Sequence, residues 1–452
     1  MFTSRLRSAL GLLLVAGVAM SAAACGGDDD TTTAKDGKVT LVINGLPPAT
    51  EKATHDRFLA NVAEFEKANP NIKIDAREGK MDPQTFPAKL AGGQLEDVFY
   101  VYFTDPANLI AKRQVSDISK YLKDYPVTSQ IKPEVLRVFQ DDKGNTYGLP
   151  YKNYSMGLLY NRDLFTKAGL DPDNPPKTWA DVRTAAKKIA GLGNGTVGYG
   201  DYSKNNTGGW HFTTELYSLG GEVAVNQGGT WKAAFDSPQG KQVLQQLKDM
   251  RWTDDSMGQK QLLEWADLLQ QMGSGKLGMY LATADNIPTI VNQYKGKYET
   301  YGLGPIPDGK GTLGGGEGYM FKAGLSPEKI QAGLKWLTFW FTSADRYEAE
   351  NKWSSETKQP VGLPEPAIFT GAAAQTQAAA DKKYANVPQQ NYAPFVASMG
   401  TIPVKLEPPN AQQIYATLDV AMQKVLTDRN ANVDQLLADA ETQVNQILAN
   451  VK

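Results

Sequence analysis

Side chains able to do covalent or metal chemistry are scarce in this sequence. Among 452 residues there are two histidines, His55 and His211, and one cysteine, Cys25. No His-Glu-x-x-His run or second cysteine accompanies them, so neither a zinc site nor a Cys–His nucleophile has its parts. No Gly-x-Ser-x-Gly turn occurs either. Gly309-Lys310-Gly311-Thr312-Leu313-Gly314 has the spacing of a dinucleotide loop, but it follows Pro305 and Pro307 and runs into Gly315-Gly316 rather than opening a helix. It reads as a flexible glycine-rich turn. Paired carboxylates for glycoside hydrolysis stay open, because 49 acids give many pairs and the chemistry turns on their separation in space. What remains is binding chemistry: 8 Trp and 20 Tyr, most of them core or core-rim residues, supply rings with apolar faces and polar tips.

The lone thiol has a particular setting. Arg5 and Arg7 precede an uncharged apolar run from Ala9 to Met20, and Ser21 to Ala24 are small, the layout of a secretory signal. The run is shorter than the roughly 20 residues of a spanning helix. Two processing routes compete: ordinary cleavage after Ala24, or lipidation of Cys25, since Ala23-Ala24-Cys25 resembles the lipobox of bacterial lipoproteins. Lipidation is favoured because Gly26 to Thr33 reads as a flexible polar tether. This gives a signal peptide at 1–24, a lipid-anchored tether at 25–38, and a location on the outer face of the cell membrane.

Removing residues 1–24, which hold Arg5 and Arg7 and no acid, takes the net charge from −2 to −4. A nucleic-acid-binding surface needs a basic excess, so nucleic acid is not an expected partner. The elements that must position any site are legible in outline. VTLVI from Val39 reads as a buried strand, Phe58, Leu59, Val62 and Phe65 line one helical face, Ile72-Lys73-Ile74 starts a second strand, and Asp97 to Phe103 reads as a third. Strand, helix, strand at this spacing predicts a parallel α/β sheet. The alternation recurs at 158–161, after Thr178-Trp179, where Thr178 is the expected N-cap with Asp181 three residues on, and at Tyr301. Residues 371–381, 414–426 and 433–448 are helical by period.

FEKANPNIKI (65–74), YGLPYKNYSMGLLYNRDLFTKAGL (147–170), PPKTWADV (175–182), FDSPQGKQVL (235–244) and GSGKLGMYL (273–281) resemble, in order, landmark segments of the extracellular solute-binding proteins of ABC importers. The nearest branch is the one like the maltose-binding protein, which binds mostly sugars. The resemblance implies an α/β, two-lobe periplasmic-binding-protein-like fold with a hinge and an interlobe ligand cleft. The expected lobes are 39–150 with 302–345, and 151–301 with 346–452. Leu149-Pro150-Tyr151 is the expected first crossing and Tyr301-Gly302 the second. The same resemblance implies a monomeric binder that is not an enzyme, has no cofactor, and delivers its small-molecule ligand to membrane permease subunits.

A sugar offers apolar C–H faces and a belt of hydroxyls, so its pocket needs aromatic plates and carboxylate or amide partners. Tyr102 and Asp105 lie at the carboxyl end of a strand, where an α/β sheet places its ligand crevice. Core packing competes for the first and a helix cap for the second. The resemblance adds Tyr154, just past the first crossing, where hinge packing competes. Trp210, in a polar Asn- and Gly-rich loop, reads as a stacking ring. Asp285 and Asn286 follow MYLAT, where the family commonly carries a tryptophan, and the first strand ends in Leu46-Pro47-Pro48 where polar contacts are usual. Glu317 would reach ligand through a loop of glycines, with a solvated acid as its alternative. Trp265 shares a helical face with Leu262, Leu269 and Met272 and reads as core. The competing functions are capture of a non-sugar solute (a polyamine, a peptide or a phosphorylated polyol) and glycoside hydrolysis.

Overall fold

A computed structural model of the chain describes residues 38–82, 85–341, 344–449 and 451. The signal segment, Cys25 and all of the tether except Lys38 lie outside the described residues. The first three strands are β1 (Val39–Leu46), β2 (Ile72–Glu78) and β3 (Val98–Tyr102). β1 runs parallel to β2, with Val39 opposite Ile72, and to β3, with Ile43 opposite Val98. Helix Lys52–Ala68 makes the first crossover and buries Phe58, Val62 and Phe65, as its apolar spacing requires.

Nine further strands follow: β4 (Gly148–Ser155), β5 (Gly157–Asn161), β6 (Val197–Tyr199), β7 (Ala224–Gln227), β8 (Thr230–Ala233), β9 (Leu277–Ala282), β10 (Tyr301–Gly304), β11 (Thr312–Phe321) and β12 (Val404–Lys405). They complete one sheet in the order β12-β11-β3-β1-β2, with β4 also on β11, and form a second in the order β10-β5-β9-β6, while β7 and β8 pair as a separate antiparallel ribbon. The sheets are mixed rather than parallel. β11 is antiparallel to β3 and β4, and β5 is antiparallel to β9 and β10. Each sheet has its own cores: Leu41, Val98, Tyr100 and Trp336 belong to the first lobe, and Leu158, Val182, Met279 and Leu418 to the second. Thr178 caps helix Trp179–Ala190 in a capping box with Asp181, each accepting a backbone N–H of the other at 3.1 Å. Among the described residues no helix is long and apolar enough to cross a membrane.

Three expectations are corrected. β4 continues past Tyr151 to Ser155, opposite Gly314, so the chain crosses between lobes at Met156 and again between Gly304 and Thr312. The ladder shifts register beside Pro150, between the pairs Glu317–Lys152 and Gly318–Pro150, and tolerates its missing N–H. The glycine-rich stretch is a turn only up to Gly311; beyond it, β11 is the strand between β3 and β4. A Cβ on Gly316 would stand 2.5 Å from the Phe103 ring, and one on Gly318 2.2 Å from the Phe139 ring. Glycine is there for close approach rather than for mobility. Residues 346–452 do not all join the second lobe. Arg57 pairs with Glu350 at 2.8 Å, Asn351 with Asp381 at 2.8 Å, and Ile131 bridges to Phe369, so helices Ala344–Glu356 and Gly371–Tyr384 pack on the first lobe. Helical period shows that a helix is amphipathic; it does not say which core takes the apolar face.

Candidate ligand-binding cleft

Strand register alone assembles half of the site. Tyr102 closes β3, Glu317 is opposite it in β11, and Lys152 is opposite Glu317 in β4, so all three leave one face of the sheet. Gly315 and Tyr154 are the next matched pair on that face. The bare position 315 makes room: a Cβ there would lie 2.3 Å from the Tyr154 hydroxyl and 3.1 Å from Glu407 Oε2. Glu317 faces the Lys80 ammonium at 3.5 Å. Lys152 lies 2.7 Å from Glu365 and 3.9 Å from Asp285. Burial pulls the Lys152 pKa down, and these two carboxylates more than offset it.

Asp105 sits at the N-terminus of helix Pro106–Ala111 but does not cap it. Its carboxylate turns back to accept the Tyr102 N–H at 3.1 Å and the Thr104 hydroxyl at 3.4 Å, which fixes the end of β3. Burial pushes Asp105 up to about 7 against those two hydrogen bonds. Burial, with Glu317 and Asp105 adding, pushes the Tyr102 phenol up to about 12. Trp210 is on the first turn of helix Thr207–Ser218, not in a loop. Its half-buried ring lies parallel to Tyr202 at 6.5 Å and edge-on to Tyr154 at 6.0 Å. Glu407 accepts the Tyr415 hydroxyl at 3.1 Å, and burial, together with the charge of Asp105, pushes it up to about 8.

The structure therefore brings Tyr102, Asp105, Tyr154, Trp210 and Glu317 to one interlobe cluster. Asp285 is exposed at its edge and accepts the Thr283 hydroxyl. Asn286 is engaged in the wall: it is 4% exposed, its carbonyl accepts the Trp265 indole N–H at 2.6 Å, and its amide reaches the Thr283 carbonyl at 3.4 Å. Trp265, read as core, is 42% exposed. Two cavities flank the cluster. One, of about 640 Å³, runs from Lys152 and Asp285 past Glu365 to Tyr347. The other, of about 650 Å³, is lined by Phe103 and Asn153 from the opposite sheet face and by Phe395, Met399 and Ile402 of the second lobe.

A family profile described as bacterial extracellular solute-binding protein matches residues 52–347. The chain belongs to this family. As a solute-binding protein it shares its two-lobe α/β fold with solved structures: an ABC transporter solute-binding protein from Thermotoga lettingae bound with α-D-tagatose (TM-score 0.73, 24% identity, 90% of this chain and 99% of that one) and the cyclic α-maltosyl-1,6-maltose binding protein from Arthrobacter globiformis (TM-score 0.68, 21% identity, 92% and 100%). The sn-glycerol-3-phosphate-binding periplasmic protein UgpB of Salmonella typhimurium is 27% identical over 299 residues, 61% of this chain and 65% of that one. The chain spans less than two thirds of the length of the curated relatives it matches, 60% of a Brucella abortus binding protein and 56% of the Escherichia coli UgpB among them.

Lys152, Glu365 and Glu407 escaped the sequence reading. Glu407 had one signal, an acid between Pro403 and Pro408-Pro409 in a short connection between helices. Its setting has a measurable consequence. In the folded solute-binding protein Asp105 and Glu407 hold protons above the ordinary carboxyl range, near 4. Between about pH 4 and about pH 8 the folded state therefore binds more protons than the unfolded chain, and stability falls as pH rises. The unliganded melting temperature is expected to drop from about pH 5 to about pH 8.5, and Glu407→Gln to flatten that slope. An identical slope in the variant would remove Glu407 from the account.

Proposed function

We propose that this solute-binding protein captures a sugar or a related neutral polyol between its lobes, outside the cytoplasm, and delivers it to the permease of an ABC importer without chemical turnover. The observation that carries the reading is the convergence of Tyr102, Asp105 and Glu317 from the first sheet with Tyr154, Trp210 and Glu407 at the lobe boundary. Rings offer faces to C–H surfaces and carboxylates accept hydroxyl protons. Two lobes sharing one ligand turn binding into a hinge closure that a membrane partner can sense.

UgpB raises a phosphorylated polyol as an alternative. The charge balance disfavours it, because Lys80 and Lys152 already face carboxylates. The cluster instead gives some support to a polyamine or other cation, since among the described residues neither Asp105 nor Glu407 has an ion pair. A thermal-shift screen of sugars, polyols, sn-glycerol-3-phosphate and polyamines tests the reading. A neutral sugar at 100 times its Kd is expected to add about 2.7 kcal/mol to stability. A response to phosphate esters or polyamines alone overturns the sugar, and recovery of shortened sugars after long incubation overturns the absence of turnover.

The proposal includes membrane anchoring through lipid on Cys25, supported by the signal-like segment before it. Cys25→Ser is expected to release the protein into the medium or leave it unprocessed. A processed variant as membrane-bound as the parent refutes the anchor.

A further inference from the structure

Trp210 and Glu407 are far apart in sequence, yet one helix holds both. Helix Ala411–Thr427 packs across the start of helix Thr207–Ser218. Asn205 and Asn206 enter the latter in left-handed conformation, at φ 58° and 69°, and the side chain of Asn206 makes no capping hydrogen bond. The exposed amides of that helix end are met from outside. Asp419 accepts the Asn206 N–H at 2.9 Å and the Gly209 N–H at 2.8 Å. Small residues permit the approach: a Cβ on Gly209 would stand 2.3 Å from the Tyr415 Cα, and one on Gly208 2.8 Å from Asp419 Oδ1. One turn earlier on the same helix, Tyr415 donates its hydroxyl to Glu407. Tyr415 is 1% and Asp419 5% exposed, which puts them behind the site's surface.

We propose that helix Ala411–Thr427 sets the spacing between the Trp210 ring and the Glu407 carboxylate, with Asp419 and Tyr415 as positioning residues of the ligand site. The proposal rests on the reading of the cleft given above. A carboxylate at a helix N-terminus satisfies its free amides and complements its dipole. An amide in its place keeps the shape but loses one accepting oxygen, so the turn that carries Trp210 loosens. Around Glu407, the groups whose charges or hydroxyls bear on it are Asp105, Tyr102, Tyr154, Tyr217 and Tyr415. Of these Tyr415 is the hydrogen-bond donor that holds the acid down.

The test uses the full chain, first without ligand. The indole ¹⁵N–¹H signal of Trp210, assigned through Trp210→Phe, is expected to shift in Asp419→Asn while that of Trp336 stays in place. The carboxyl ¹³C titration of Glu407, assigned through Glu407→Gln, is expected to move to higher pH in Tyr415→Phe. With the tightest sugar of the screen, Asp419→Asn should weaken binding about tenfold in the parent and less than about twofold in Trp210→Ala. An unmoved Trp210 signal, an unmoved Glu407 midpoint, or equal weakening in both backgrounds overturns the proposal. If Asp419→Asn fails to fold, Tyr415→Phe, which keeps the ring, decides alone. Shifted signals without binding of any sugar support the positioning and refute the sugar reading.

Discussion

Trp210→Ala and Tyr102→Ala are each expected to weaken ligand binding about thirtyfold, the loss typical of truncating a buried aromatic contact at about 2 kcal/mol. Each ring has another aromatic ring beside it. Tyr202 lies parallel to Trp210 at 6.5 Å, and Tyr100 meets Tyr102 at a right angle at 5.5 Å. The two variants should differ in stability. Trp210 also packs against both cores of the second lobe, so its loss is expected to cost on the order of 1–3 kcal/mol of unliganded stability. Tyr102, at the end of a strand, should cost less. Calorimetric affinity and the unliganded urea midpoint, measured together, separate the two effects. Preserved affinity in either variant would assign that ring to packing alone.

The mirror experiment is Trp336→Ala, where the loss falls on the fold. Trp336 is 1% exposed and packs its ring against Phe65 at 5.3 Å, Phe58 at 5.7 Å and Trp340 at 5.8 Å. Truncation leaves a cavity between helices Lys52–Ala68 and Pro327–Phe341 that rigid neighbours cannot fill. About 3–5 kcal/mol of unfolding free energy should be lost, with the affinity of the remaining folded protein within about twofold of the parent. A cost below about 1 kcal/mol would mean that this aromatic cluster repacks freely.

Tyr102 and Trp210 show what a sequence of this kind discloses. Apolar runs and one helical face were enough to place β1, the first helix, β2 and β3, because β3 is buried almost throughout and the helix buries one face every 3.6 residues. Tyr102 and Asp105 followed from their place at a strand's carboxyl end. The rest was hidden for identifiable reasons. β11 looked like a loop because its glycines answer to Phe103 and Phe139, which are distant in sequence. Trp210 looked exposed because its partner Tyr202 lies across a turn and Tyr154 comes from another strand. Glu407 owes its surroundings to the Tyr415 hydroxyl and the charge of Asp105, and no local pattern announces a charge brought near from so far along the chain.

The position of β11 between β3 and β4 bears on how the molecule comes into being. β3 meets β1 at a single register pair, Ile43 with Val98, whereas β11 pairs with it from Val98–Phe321 to Tyr102–Glu317. During synthesis the strand VFYVY must therefore wait, with an apolar edge unpaired, until a segment more than two hundred residues downstream has emerged. Pairings this remote close slowly and leave the growing chain open to association. Such a topology suits a protein kept unfolded until all of it is available. A chain that stopped short of Thr312 would not be a smaller binder but an open sheet edge, on which further strands can add.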